Sequence, residues 1–420
     1  MTPFYPPGSP DPRSILVVLP TWVGDFVMAT PALKAIRGRF SGAQITFLLE
    51  ANLLDLARGG YWMDECVVWP GRGKRTVFSR EYRTLVRTLR GRRFECAVLL
   101  SNSFRAALLA RMIGAKHRIG YDRDGRGWLL THSIPVSNRR GKNNGQVRRD
   151  DPSLATTTAV QLGTRIPGRP SKFVPIPLVE YYADLSEALG CRRPGDDLEL
   201  FTTPDCEESV ERRIKSIGFA IKNQVPTRME VFTLPQPLPE REGGEFGPFV
   251  AISPGAKFGA SKCWAPQRFA EAADRLIDEC AATVFITCGP GEEGIAATIA
   301  GAMRHRAHVL TNPLLTLGEL KSLIRRCDLL LANDAGPRHI AKAFGVPVVT
   351  VFGPTHPDWT ATNDPRERIV RVDIDCGPCQ QRVCPLGHHE CMKAVSVDMV
   401  VAAARELLRQ EKPEKKIRRG

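Results

Sequence analysis

Two series of short apolar runs, each run followed by a stretch of helical periodicity, constrain the fold of this 420-residue chain more than any other feature. In the first series, residues 15–19, 45–49, 66–69 and 96–100 read as buried strands. Phe26, Ala29, Leu33, Ile36 and Phe40, spaced by three and four, read as one face of a helix, and 80–91 and 103–113 read as further helices. A strand that is followed by a helix before the next strand cannot close as a hairpin, so the repeat predicts a parallel sheet with helices against it. After about residue 170 the pattern blurs, and it restarts at 249. Strands are expected at 249–253, 283–287, 329–332 and 346–352, and helices at 266–279, 292–303, 317–326 and 337–344. Two α/β lobes in tandem follow.

The expected organisation is a disordered Pro-rich N-terminus (1–13), a first α/β domain (14–175), a second (176–395), a helix at 396–410 and a frayed charged tail at 411–420. Residues 221–247, with four prolines and then an acidic run, read as a disordered insert in the second domain. At 43% hydrophobic and 25% charged residues, the composition excludes fibrous and wholly disordered classes. No apolar window reaches the roughly 18 residues of a membrane span, and the N-terminus lacks a signal-peptide layout. A cytoplasmic protein is expected. Eight of the twelve cysteines are scattered, several within apolar runs, as buried reduced thiols would be.

The formal net charge is +14, and the excess is concentrated. Residues 72–93 hold nine basic side chains against one Glu, and 138–149 hold five and no acid. Such a surface favours an anionic partner: nucleic acid, acidic lipid headgroups, or a phosphorylated substrate.

Ligands of open parallel sheets bind beyond the carboxyl ends of the strands, so the loops after strands are where chemistry is expected. The first loop is Pro20-Thr21-Trp22-Val23-Gly24-Asp25. It lacks the three-glycine dinucleotide fingerprint and the Walker lysine, which disfavours a nicotinamide enzyme or P-loop NTPase. Asp25 reads either as a helix-capping carboxylate or as a general base held on a tight turn. In the second loop, Pro254 to Trp264, small residues allow close backbone approach, and Lys257 and Lys262 precede a helix, an arrangement suited to phosphate. The third is Asn333-Asp334-Ala335-Gly336-Pro337-Arg338-His339, where Pro337 can open a helix whose free amides face an anion. Asp334 could cap that helix, and His339 could be structural.

Taken in order, these loops resemble glycosyltransferase family 9, the lipopolysaccharide heptosyltransferases, most closely the heptosyltransferase II type. The resemblance rests on Trp22-Val23-Gly24-Asp25, on Asn102-Ser103-Phe104 with Arg118-Ile119-Gly120-Tyr121, on Ser253-Pro254-Gly255-Ala256 through Lys262 and Trp264, and on Asn333-Asp334-x-Gly336-x-x-His339 with Phe352-Gly353-Pro354-Thr355. It implies a GT-B architecture, two Rossmann-like parallel-sheet domains facing a cleft, and inverting transfer of heptose from ADP-heptose to a lipopolysaccharide inner-core acceptor. By the same resemblance Asp25 is the base and Lys262 contacts the donor phosphates. Ser253, Gly255, Ala256, Asp334, Ala335, Gly336 and His339 line the donor site, with Glu292 or Glu293 near the nucleoside. Trp22, Gly24, Asn102, Ser103, Arg105 and Arg118 are expected on the acceptor side. Ala335 and Pro337 stand where the family has a hydroxyl residue and an apolar one, leaving backbone amides for the phosphate. The reaction needs one base and a stabilised leaving group, so no cofactor or catalytic metal is expected. The expected partners are a nucleotide sugar, an anionic glycolipid and the inner face of the cytoplasmic membrane, contacted peripherally by a monomer.

Cys376-x2-Cys379-x4-Cys384-x6-Cys391, with His388 and His389 alongside, supplies enough soft ligands for a structural zinc, with an iron–sulfur cluster or reduced or redox-paired thiols as the alternatives. It is expected to lie outside the ligand loops. Two other functions compete. A nucleic-acid-binding protein would use the basic charge, but only 7% of residues are aromatic and they are not interleaved with the basic ones. A GT-B-like sugar-nucleotide epimerase would share the lobes and need no lipid acceptor.

Overall fold

The computed structural model describes residues 3–6, 8, 10–71, 78–134, 175–216, 247–362 and 364–410. The segment read as an insert (save Gly247), the tail at 411–420 and the basic stretch at 138–149 lie outside these residues. The chain divides into two units.

The first unit contains β1 (Ser14–Val18), α1 (Val23–Arg39), β2 (Gln44–Leu49), α2 (Leu54–Ala57), β3 (Glu65–Val68), α3 (Arg80–Gly91), β4 (Cys96–Leu99), α4 (Phe104–Met112), β5 (His117–Tyr121), β6 (His132–Ile134) and α5 (Leu178–Leu189). Its strands form one parallel sheet in the order β3-β2-β1-β4-β5-β6. The centre is apolar on both faces, as a sheet covered by helices requires: β1 and β4 are almost wholly buried, and Tyr82, Leu85 and Leu89 of α3 pack with Ala106, Leu109 and Ala110 of α4 over one side.

The second unit contains α6 (Pro204–Ser216), β7 (Phe249–Ser253), α7 (Pro266–Cys280), β8 (Thr283–Ile286), α8 (Glu293–Ala302), β9 (His308–Val309), α9 (Leu317–Arg326), β10 (Leu329–Asn333), α10 (Gly336–Ala343), β11 (Val348–Val351), β12 (Glu367–Val370), α11 (Glu390–Lys393) and α12 (Val397–Arg409). Its sheet, β12-β11-β10-β7-β8-β9, is the same topology again and also parallel throughout. Both are Rossmann orders. In each, strand order reverses between the first and fourth strands of the unit, and that reversal is where the crevice for a ligand opens. The switch points are therefore β1/β4 and β7/β10.

The structure corrects three expectations. The N-terminus is docked where it is described: Phe4 N donates to Ala188 O at 2.8 Å, and the buried Tyr5 ring meets Phe40 edge-on at 5.6 Å. Two aromatics among the prolines give the segment something to bury. The boundary drawn at 175/176 falls too early, because residues 173–200 group with the first unit and α5 packs along α1. The pattern also missed β5, β6, β9 and β12. Each lies toward a sheet edge and carries charged or polar residues such as His117, Arg118, His308 and Glu367 that hide an apolar run.

Candidate active site

In the first unit, the turn after β1 delivers Asp25 to the first turn of α1. The residue at the N-cap is Trp22, whose side chain makes no capping bond, so the capping role considered for Asp25 is not the one it has. Its carboxylate is half-buried and close enough to the buried Tyr182 of α5 to act on it: burial first, and then the Asp25 charge, push that phenol well above its usual value and keep it neutral. Trp22 is exposed and Gly24 half-buried beside it.

The neighbouring loop after β4 is held by a residue the sequence did not single out. Arg126 is fully buried and donates to the carbonyls of Tyr121 at 3.0 Å and Ser103 at 3.3 Å, to Ser101 O, and to Asn102 Oδ1 at 3.2 Å. Asn102 Oδ1 also accepts from Tyr181 OH at 2.8 Å, and Tyr181 stacks on Tyr121 at 3.8 Å. Ser103 caps α4 by accepting from Ala106 N at 3.2 Å. Arg105 sits at the same edge, donating to Gly71 O at 2.7 Å and to the buried Glu50 carboxylate at 3.0 Å, with its guanidinium over Trp69.

Arg118 does not join them. It begins β5 at the amino edge of the sheet, and its guanidinium is taken by Leu129 O at 2.8 Å and Ala115 O at 2.7 Å. What the Arg-Ile-Gly-Tyr segment supplies at the crevice is Tyr121, plus Gly120, where a β-carbon would stand 3.2 Å from the Arg126 guanidinium.

In the second unit the loops after β7 and β10 are stitched together. Asn333 donates to Pro254 O at 2.5 Å and accepts from Trp264 N at 3.1 Å. Lys262 makes an ion pair with Asp334 and a second bond to its carbonyl at 3.3 Å. Asp334 further accepts from Thr355 Oγ1 at 2.8 Å and Arg338 Nη1 at 3.2 Å, and therefore does not cap α10, whose N-cap is Ala335. Arg338 also pairs with Glu367, which receives Lys342 Nζ at 2.6 Å and Thr350 Oγ1 at 3.1 Å. Burial alone would raise both carboxyls, but Lys262 and Arg338 hold Asp334 below its usual value, and Arg338 and Lys342 hold Glu367 far below. The five charged side chains of this network carry one more positive charge than negative, next to the amino end of α10.

His339 is buried among them with Nδ1 lacking a hydrogen-bond partner among the described residues; burial, then Arg338 and Lys342, hold it neutral. Gly336 starts α10. Ser253 Oγ is committed to Thr287 Oγ1 at 2.7 Å, and Ala256 is buried. Glu292 folds over the second loop, accepting from Gly289 N at 2.9 Å; a β-carbon on Gly255 would fall 1.8 Å from its carboxylate, so glycine there is what lets Glu292 lie in this place. Of the pair left open, Glu292 reaches this loop and Glu293 opens α8.

Thr355, Arg338, Lys342 and Glu367 were not foreseen as site residues. Arg338 and Lys342, four apart on α10 and one turn beyond Asp334, carried a readable signal; Glu367 lies on an edge strand and carried none.

The cysteine segment is not remote from this site. His389 Nε2 meets Ser261 O at 2.7 Å, Ser261 Oγ donates to Gln381 O at 2.6 Å, and Ser261 N donates to Arg382 O at 3.2 Å. Residues 376–391 thus hold the loop that carries Lys262, against the expectation that they lie apart from it. Cys376 Sγ stands 3.8 Å from His388 Nε2, and the backbone amides of residues 386–389 converge on Cys384, lowering its thiol. Among the described residues no group of three or more His, Cys, Asp or Glu side chains is placed to hold a metal ion. Two Asp-x-Asp triplets, Asp122-Arg123-Asp124 and Asp373-Ile374-Asp375, are not part of such a group either.

Two Rossmann units, with a small-residue loop, a lysine and a helix terminus at the second switch point, are the parts of the GT-B fold. The model of glycosyltransferase family 9 (heptosyltransferase) matches residues 82–149 and 202–390. Lipopolysaccharide heptosyltransferase 2 of Escherichia coli K12 is 25% identical, with 94% of this chain and 99% of that protein covered. Among solved structures, a family 9 glycosyl transferase from Veillonella parvula superposes with a TM-score of 0.70 at 19% identity, covering 94% of this chain and 97% of that one. The ADP-heptose lipopolysaccharide heptosyltransferase II of E. coli superposes with a TM-score of 0.66 at 21% identity, covering 94% and 98%. The chain belongs to glycosyltransferase family 9.

Proposed function

We propose that this protein transfers a heptose from ADP-heptose to the inner core of a lipopolysaccharide, with inversion at the sugar and Asp25 as the general base. The observation that carries the reading is similarity over 94% of the chain to proteins named heptosyltransferase 2, with the loops after β1, β4, β7 and β10 lying at the Rossmann switch points. The second unit takes the donor. Of the three protons on the Lys262 ammonium, Asp334 accepts two, leaving one for a diphosphate oxygen. The excess positive charge of the network and the α10 amides, fixed before the donor arrives, stabilise the nucleoside diphosphate as it leaves. These amides replace the hydroxyl absent at Ala335. Glu292 faces the nucleoside end. In the first unit Asp25 takes the proton of the acceptor hydroxyl, on the face of the sugar opposite the leaving group.

The enzyme works as a cytoplasmic monomer at the inner membrane face, held there peripherally; among the described residues no helix is long and apolar enough to cross a bilayer. Incubation of the purified protein with ADP-heptose and a truncated-core lipid tests the proposal. The expected result is acceptor-dependent release of ADP, with the anomeric configuration of the product inverted by NMR. Donor turnover without acceptor would replace it with an epimerase, and retention would remove the single-base mechanism.

A further inference from the structure

We infer that the outer face of α3 and α4, with the aromatic pair beside it, is the surface by which this protein seats on an anionic lipid bilayer. The inference deepens the reading of a membrane-borne acceptor and rests on it. The two helices cover the same side of the first sheet and touch each other, sharing one core through Tyr82, Leu85, Leu89, Ala106, Leu109 and Ala110. Their other faces are turned away from the sheet. On α3 that face is a row of arginines, Arg80, Arg83, Arg87 and Arg90, all exposed and none in an ion pair with a described residue. Their spacing of three, four and three places them on one side of the helix. On α4 Phe104 is 43% exposed and Met112 38% exposed, with the half-buried Leu108 between them at intervals of four and the exposed Arg111 beside Met112.

The Trp128 ring, 67% exposed, stands 6.3 Å from that of Phe104, and Phe78, 82% exposed, precedes α3. Soluble surfaces scatter such residues singly; a row of them beside a row of unpaired cations is the pattern of a surface lying in a lipid headgroup layer. Arginines draw in anionic lipid, and Trp and Phe settle at the boundary between headgroups and chains. The loop carrying Trp128 sets Asp122 and Asp124 against Arg123, and Arg126 is buried, so the positive charge of the patch comes from α3 and from Arg111. A single-stranded nucleic acid would instead want aromatics interleaved with the basic residues, and here the two rows are separate. Phe104 directly follows Asn102 and Ser103, so a bilayer seated on this face lies beside the first switch point, where sugars extending from a lipid would arrive.

Vesicle sedimentation tests this with no sugar present, so its outcome is independent of whether the heptosyl reading holds. The full chain is expected to sediment with phosphatidylcholine vesicles doped with phosphatidylglycerol, to ignore pure phosphatidylcholine, and to be released by salt. Arg83→Glu with Arg87→Glu should lower partitioning roughly tenfold or more. Arg83→Gln with Arg87→Gln, which removes charge without reversing it, should give a smaller loss and guards against misfolding. Phe104→Ser with Trp128→Ser should weaken binding several-fold while the preference for anionic lipid remains. Brominated lipid should quench the tryptophan fluorescence of the wild type, and much less that of Trp128→Phe. Failure to bind doped vesicles at low salt, or binding indifferent to both pairs of substitutions, overturns the inference. So does tight duplex DNA binding that depends on the same arginines while vesicle binding does not.

Discussion

The two switch points share a topology and are fastened in opposite ways. At the first, one buried cation, Arg126, holds the loop after β4 through neutral oxygens, and Asp25 stands half-buried near a phenol kept neutral. At the second, carboxylates and cations alternate, from Lys262 through Asp334, Arg338 and Glu367 to Lys342. A base has to exchange its proton during each turnover, and a carboxylate locked among cations is too weakly basic for that. A phosphate site has to hold positive charge in place before the anion comes, and buried carboxylates do this by fixing the cations. On the proposed reading the same fold carries a proton acceptor in one copy and a charged cradle in the other.

The heaviest blow to this contrast is at the centre of the ionic network. Arg338→Leu leaves two buried carboxylates each short of a cation, and should lower the stability of the second unit by about 3–5 kcal/mol, read as a shift of the urea midpoint. An unchanged midpoint would mean the network does not hold that switch point. Next comes catalysis. Asp25→Asn is nearly isosteric and should cut kcat about a hundredfold or more while the Kd for ADP-heptose stays put; Lys262→Met should raise that Kd. If Asp25→Asn weakened donor binding instead, the division of labour between the units would be wrong.

The centre of each sheet was legible because strands buried on both faces are continuous apolar runs, and the loops after β1, β7 and β10 were legible because small residues, Asp and Lys interrupt those runs abruptly. The remainder was hidden for physical reasons. Edge strands such as β12 mix Glu367 and Arg368 into their length, α5 follows a stretch without periodicity, and two partners of Asp334, residues 262 and 355, are joined to it by no local pattern. Arg118 looked like a ligand residue because its motif is near one; the register that puts it at the amino edge is not visible in the sequence.

The cradle should also announce itself through pH. His339 is neutral when folded because burial, then Arg338 and Lys342, depress its pKa, only partly countered by Asp334 and Glu367. Unfolded, it titrates near 6.5, so below that pH the unfolded chain binds a proton that the folded one refuses. Stability is therefore full above about pH 6.5 and falls as the pH drops toward the folded pKa, by up to ~1.4 kcal/mol per pH unit from this residue. His339→Asn should flatten that part of the urea-midpoint profile relative to wild type. Parallel profiles would mean that His339 takes up a proton as readily folded as unfolded, and the excess charge assigned to the cradle would then have to be raised at acid pH.

The finest distinction concerns how the lysine loop is held from outside the network. Ser261, next to Lys262, is clamped by residues 376–391 through its hydroxyl, its amide and its carbonyl. Ser261→Ala removes only the hydroxyl bond to Gln381, a change of about 1 kcal/mol. If the clamp sets the position of Lys262, that loss appears as a rise of about fivefold in the donor KM, with the acceptor KM unmoved, because the loop serves only the donor side. His389→Asn, which disturbs the bond to the Ser261 carbonyl, should act in the same direction. A lower melting temperature with an unchanged donor KM would show that the cysteine segment braces the second unit without positioning its lysine, and the first switch point would then be the one whose geometry depends on a single buried residue.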